Sequence, residues 1–381
     1  MTSTLSSPRV RPEANAAKFA NVDWSLLAAV VTLVSLGMVA VFSATQADPD
    51  GALLSLGKQA GFLVIGSILL GIVAFVDYRE IRNFLGLAVI VTIVVLIAVL
   101  TPLGSEIKGT QAWFVLGPVS VQPAEFAKLA LVVTLSAIFT GRTGSIEPHR
   151  IAGALGILGL LAVLVLLEGE TGSVFVYCAI TLGIFLAAGV PARVMLLLLI
   201  SGIAVVSVAF QTGLMPEYAR ERLTAFVDEN ADPRGAGYQQ RQSVTTIGSG
   251  GITGKGILQG PQTQAGFLPE QETDFIFSSW GEETGFVGTS VIIALEGFVL
   301  WRILRNARLA RDGFGTLICV GVFVMFLFQV FQNVGMNLKL MPITGVPLPF
   351  VSYGGSSLLT SLLAIGLVQS VAVHRHRGSP V

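Results

Sequence analysis

This 381-residue chain is short of charge: 12% of its residues are Asp, Glu, Lys or Arg, against about 25% in a soluble domain. Half of the usual polar surface is missing, which excludes a water-soluble globule. Cysteine is scarce too. Cys178 and Cys319 each stand in an apolar block without polar neighbours. Two are too few for a disulfide framework, lack metal-ligand spacing, and read as small hydrophobes. Neither charge sign is in excess, with 23 basic and 23 acidic residues, so no bulk field points to nucleic acid or an acidic partner. The pattern of a cleaved leader is also missing. Residues 1–22 are polar, hold Arg9, Arg11 and Lys18, and precede a first apolar run that starts only at Trp24. That run is long enough to span a membrane. The tail reads as disordered and cytosolic, and the run as a retained span.

What the chain has instead is 53% apolar residues gathered into blocks. They fall at about 24–45, 59–76, 83–101, 122–140, 151–167, 173–190, 193–210, 275–301, 314–336 and 353–373. Each is near or above the roughly 17 residues a helix needs to cross hydrocarbon. In lipid only helices or closed barrels satisfy the backbone, and these blocks lack barrel alternation. The expected fold class is all-α and polytopic, with ten transmembrane helices. Lys and Arg in short loops set the orientation. With the N-terminus in the cytosol, fourteen basic residues lie on the cytosolic side, and only Lys58, Lys108 and Lys339 in short external loops. Both termini are then cytosolic, and residues 211–274 form one large, mildly acidic extracellular loop, expected to be partly ordered. The domain plan is a tail (1–22), a single membrane domain (23–373) and a second cytosolic tail (374–381).

Four features on the outer side carry candidate chemistry. The stretch Gly248–Gly256 fails as a phosphate-binding P-loop, because Ser249 stands where its first glycine belongs and Gly256 replaces the Ser/Thr after Lys255. It reads either as a tight backbone turn or as a nest of N–H groups facing an anion. In Val121–Lys128, Pro123 suits a first helical position and Glu125 the positive end of the helix dipole. Lys128 lies a turn deeper in an apolar run, on the same face as Glu125, so the two can pair. Ionisable groups within a span usually face an interior cavity. Asp274 opens the eighth block, where it reads either as a helix cap or as a functional carboxylate; Glu282 and Glu283, two turns deeper, suggest a polar cleft. The Pro- and Gly-rich segment 337–357 ends in a Gly-Gly-Ser-Ser helix start, which reads as a phosphate seat with Lys339 nearby or as a tightly turned connection. Together these features fit a lipid-borne anionic substrate processed at the outer leaflet.

The same motifs resemble the shape, elongation, division and sporulation (SEDS) family across nearly all of residues 24–373. The matching segments are Gln122-Pro-Ala-Glu125 with Lys128, Pro269-Glu270 with Thr273–Phe277, Glu282-Glu283 with Gly285, and Pro342–Pro349 with Ser352–Ser357. Gln332–Asn337 leans the resemblance toward the RodA branch rather than the FtsW branch. Gln111-Ala-Trp113 departs from the family, which usually shows Arg before Trp, and Ala124 stands where Ser is commoner. The resemblance implies a multi-pass protein of the bacterial plasma membrane that polymerises lipid II at the outer leaflet during cell elongation. It also implies a class B penicillin-binding protein as partner, among other elongation-machinery membrane proteins. Asp274 takes the position of the family's essential loop aspartate, as base or as ligand of a divalent cation (Mg2+ or Mn2+), and no organic cofactor is expected. The substrate-binding candidates are Trp113, Gln122, Glu125, Lys128, Glu283, Lys339 and Ser356. Two other readings stand beside this one. A flippase for the lipid-linked precursor needs a polar path across the bilayer. A scaffold for a partner synthase predicts that Asp274 can be neutralised silently.

Overall fold

Asp23 starts the first long helix, its carboxylate accepting the Leu26 N–H at 3.0 Å, so that α1 spans Trp24–Ala44. The computed structural model describes residues 19–46, 49–107, 109–117, 119–141, 147–213, 215, 217–228 and 235–375. The tail through Lys18, and Lys108, Arg142, Glu229, Asp232, Arg234 and Arg377, fall outside them. The helices that follow are α2 (Pro49–Phe75), α3 (Tyr78–Val99), α4 (Pro123–Phe139), α5 (Pro148–Leu167), α6 (Thr171–Ala188) and α7 (Ala192–Thr212). After them come α8 (Glu217–Val227), α9 (Ala236–Gly250), α10 (Pro261–Gln264), α11 (Ile276–Arg308), α12 (Gly313–Asn337) and α13 (Gly355–Val373). Proline opens α4 and α5, where a missing N–H costs nothing, and Gly189 in the left-handed region (φ 82°) closes α6.

Among the described residues, nine helices are long and apolar enough to cross a membrane. They are all those above except α4, α8, α9 and α10. The one block left, 122–140, forms α4, whose 17 residues rise only about 26 Å. It is nevertheless core, with Leu131, Val132 and Leu135 fully buried. The helices are not equivalent: 89% of the α13 span is buried and none of α7, so α13 is the central post and α7 a peripheral one. The all-α expectation needs a correction. Between α3 and α4 lie strands β1 (Ser105–Ile107), β2 (Thr110–Leu116) and β3 (Val119–Val121), antiparallel in the order β1-β2-β3. Residues 102–121 are too polar to span lipid, so the chain pairs its backbone by strands.

The loop 211–274 is largely helical where described, and its return path explains the glycine-rich stretch. Helix α11 breaks at Gly285, whose φ of 67° suits glycine. Segment 251–256 lies along the break. Lys255 N–H donates to the Glu282 carbonyl (3.0 Å) and Gly256 N–H to that of Glu283 (2.9 Å), while Phe286 and Val287 N–H donate to Gly251 and Ile252. These amides hold helix carbonyls, so the tight-turn reading prevails over the anion nest. Glu282 and Glu283 are not in a polar cleft either. Glu282 accepts from the N–H groups of Gln262 and Thr263 and the hydroxyls of Thr263 and Ser249; Glu283 accepts from Ser43 and from Leu258 N–H. They anchor the loop to the bundle. At the opposite end, Arg302 and Asn306 of α11 hold the Asp23 carboxylate (Arg302 at 2.7 Å), and Gln369 of α13 brackets the Asp23 backbone.

Candidate active site

Asp274 sits just before α11 but does not cap it. The capping residue is Phe275, with no side-chain hydrogen bond. The backbone N–H groups of 273–275 instead close onto the Glu270 carbonyl at 3.1–3.2 Å. Asn333 and Asn337, one turn apart on α12, both donate to the Asp274 carbonyl at 3.0 Å. Asn337 also accepts from Ser278 N–H (3.2 Å) and Oγ (2.5 Å), and Ser243 of α9 bridges Ser278 to the Asn337 carbonyl. On the other side, Ser352 donates to the Thr273 carbonyl at 2.6 Å and Tyr353 N–H to that of Glu272 at 2.9 Å. The backbone at Asp274 is thus held from α12 and segment 342–354, with α9 and α11 fixing Asn337 in turn, while Asp274 itself stays half-buried. A Cβ on Gly345 would stand 3.4 Å from Asp274 Oδ2 and 4.0 Å from Arg222 Nη1, so α8 brings a guanidinium to the same spot.

The second charged group is buried. Lys128 Nζ and Glu125 Oε1 pair at 2.5 Å, with 1% and 5% of their side chains exposed. An ion pair this deep persists only with both partners present. The pair stands on the first two turns of α4, which α6 braces. Tyr177 donates its hydroxyl to the Ala124 carbonyl at 2.8 Å, and Gln122 Nε2 donates to Glu170. Segment 344–346 runs between Asp274 and the start of α6. Gly172 of α6 packs on the Thr344 carbonyl, where a Cβ would come within 2.4 Å; Gly345 faces Asp274, and Asn333 holds the Val346 carbonyl at 2.9 Å.

The remaining candidates divide. Gln122 belongs to this assembly, but its side chain is turned to Glu170. The Ser356 hydroxyl accepts from Gln122 N–H at 2.9 Å and is buried. A Cβ on Gly355 would lie 2.2 Å from Phe62. That helix start is therefore packed against protein, and the phosphate-seat reading loses its room at Ser356. Lys339 adopts φ 60° in the turn that ends α12. Trp113 is half-buried in β2, opposite Ser105. Glu283 holds the loop rather than joining Asp274. The sequence reading passed over Arg222, Glu168 and Glu170, and noted Ser352, Asn333 and Asn337 within its matching and polar segments without naming them site residues. The two glutamates had a signal: Glu-Gly-Glu at a three-residue corner between apolar blocks.

Comparison with known proteins shows the family. The profile of the FtsW/RodA/SpoVE family, described as a cell cycle protein, matches residues 23–377. A probable peptidoglycan glycosyltransferase FtsW of Trichlorobacter lovleyi is 34% identical over 93% of this chain and 94% of its own length. The peptidoglycan glycosyltransferase MrdB of Escherichia coli is 33% identical over 93% and 94%. A solved chain from a peptidoglycan synthase complex that coordinates polymerization and crosslinking superposes with a TM-score of 0.80 at 32% identity, covering 94% of this chain and 99% of that one. With the profile spanning the whole helical bundle and full-length relatives above 30% identity, the chain belongs to the SEDS (FtsW/RodA/SpoVE) family.

Proposed function

We propose that this protein is a peptidoglycan glycosyltransferase that polymerises lipid II at the outer leaflet of the bacterial plasma membrane. In this reading ten helices span the bilayer, α4 among them, both termini are cytosolic and the 211–274 loop is outside. The single observation that carries the proposal is Asp274, a half-buried carboxylate just outside the cap position of α11, whose backbone is held by two asparagines of α12 and by Ser352.

The chemistry follows from the residues. An acceptor sugar hydroxyl attacks the anomeric carbon of the donor, a C–O bond forms, and the bond to the undecaprenyl diphosphate breaks. Asp274 takes the hydroxyl proton as general base. The departing diphosphate needs positive charge, which Lys128 and Arg222 supply. Among the described residues no three metal-ligating side chains cluster. Asp274 offers one carboxylate, which suits Mg2+ or Mn2+ carried by the diphosphate and water, since Mg2+ commonly takes one or two carboxylates plus phosphate oxygens. Bound there, the ion would supply further charge neutralisation. The role is cell-wall elongation and cell-shape maintenance, with a class B penicillin-binding protein and other elongation-machinery membrane proteins as partners. Its support is Gln332–Asn337, the segment behind the lean to RodA, which here tethers Asp274.

The test is polymerisation of purified lipid II in detergent with Mg2+ or Mn2+ present. It is run with and without a penicillin-binding protein mutated in its own active site. Wild type should make glycan strands and a folded Asp274→Asn protein should not. Strands from both at equal rate would remove Asp274 as the base; strands from neither, with the partner verified, would shift the reading to a flippase.

A further inference from the structure

Helix α6 begins one residue after Glu170, and its contact with the start of α4 is polar. The Glu170 carboxylate accepts from Gln122 Nε2 with one oxygen and from Ser173 Oγ (3.2 Å) with the other. Gln122 immediately precedes Pro123, so this contact fixes the turn that carries Glu125 and Lys128. Two residues before Glu170, Glu168 is 1% exposed, and neither of its carboxylate oxygens has a hydrogen-bond partner. Glu125 and Glu170 therefore share the Lys128 ammonium group, with Glu168 beside Glu170. The ionisable groups facing Glu170 are Glu125 and Lys128 on α4, Glu168 at the end of α5 and Tyr177 on α6. Segment 344–346 and Ser356, also packed here, carry none. Burial, with Glu125 next, pushes Glu170 up to about 7, and burial with Glu170 beside it pushes Glu168 up to about 8.

We propose that Glu170 is a positioning residue that sets the charge the Glu125–Lys128 pair presents to substrate. Protonated, it leaves the cluster neutral and able to accept a phosphate; ionised, it makes the cluster anionic and repels one. The same carboxylate holds Gln122 in both forms, so the geometry of α4 is kept while its charge changes. The inference rests on the reading that the anion handled here is a polyprenyl diphosphate. Its consequence is that donor binding takes up a proton, weakening as pH rises through neutrality.

The experiment titrates undecaprenyl diphosphate in detergent micelles against full-length protein at pH 6 and pH 8, for wild type, Glu170→Gln and Glu170→Asp. Thermal unfolding is followed in parallel. The ligand's own ionisation is common to all three. Wild type should bind about tenfold more weakly at pH 8 than at pH 6, the span expected of one group titrating near 7. Glu170→Gln should hold its affinity within about twofold, which a merely structural role would not produce. If Glu170→Gln does not fold, Glu170→Asp decides: it keeps an ionisable group and should keep the pH dependence. A folded Glu170→Gln that follows wild type, or wild-type binding indifferent to pH, would overturn the inference. Lipid II polymerisation measured alongside separates the two readings. Strands with pH-indifferent binding refute this inference alone, and pH-dependent binding without strands refutes the enzyme.

Discussion

Asn337→Ala should damage catalysis as well as folding. Asn337 is fully buried and uses both polar atoms: Nδ2 donates to the carbonyls of Asp274 (3.0 Å) and Asn333 (2.8 Å), and Oδ1 accepts from Ser278 N–H and Oγ. Truncation strands none of these partners completely. The Asp274 carbonyl keeps Asn333, Ser278 N–H keeps the Phe275 carbonyl at 2.9 Å, and Ser278 Oγ keeps Ser243. The loss is therefore of four net bonds rather than of burial, about 1 kcal/mol each, or roughly 4–5 kcal/mol with the small cavity. Catalysis suffers too, since a displacement of about 1 Å costs on the order of a hundredfold in rate. With one tether in place of two, kcat should fall by about ten- to a hundredfold. KM should change little, because the charged groups that face the diphosphate are untouched. Adding Asn333→Ala leaves the Asp274 carbonyl with no donor from α12, so the pair should be worse than additive by about 1–3 kcal/mol. Rates come from glycan strands made from lipid II by purified protein, and stabilities from thermal unfolding in the same detergent. Asn337→Ala that loses the expected stability yet polymerises at the wild-type rate would refute the idea that these asparagines position Asp274.

Three further outcomes follow from the packing. Lys128→Met should cost about 3–5 kcal/mol, because it leaves Glu125 buried without its partner. Glu125→Gln with Lys128→Met should regain most of that stability and none of the polymerisation, read by unfolding and strand synthesis. Gly285→Ala puts a Cβ 2.4 Å from the Gly254 nitrogen at a φ of 67°. It should lift segment 251–256 from α11, and limited proteolysis should show new cleavage there. Glu168 titrates at about 8 when folded and near 4.3 when unfolded. Between those values the folded state holds the extra proton, so stability falls as pH rises from about 4 to 8. Glu168→Gln should match wild type near pH 4 and exceed it at pH 8 by on the order of a few kcal/mol; equal melting curves at pH 8 would contradict a buried, unpartnered carboxyl.

Much was readable from residue order alone, because lipid imposes local rules. A spanning helix must be apolar for about 20 residues, so the ten blocks correspond one for one to the nine long helices and α4. Positions three apart share a helix face, so Glu125 and Lys128 could be paired before any fold was known. What tertiary structure alone decided are the contacts between distant segments that follow no period. Asn333 and Asn337 reach the Asp274 carbonyl across 59 and 63 residues, and Glu170 reaches Gln122 across 48. Glu282 and Glu283 look from the sequence like charges within a span. The returning loop makes them its anchors, since the break at Gly285 leaves helix carbonyls that only another backbone segment can satisfy. Charge placed inside lipid announces itself in any sequence by its cost. Which partner meets that cost depends on where the chain comes back.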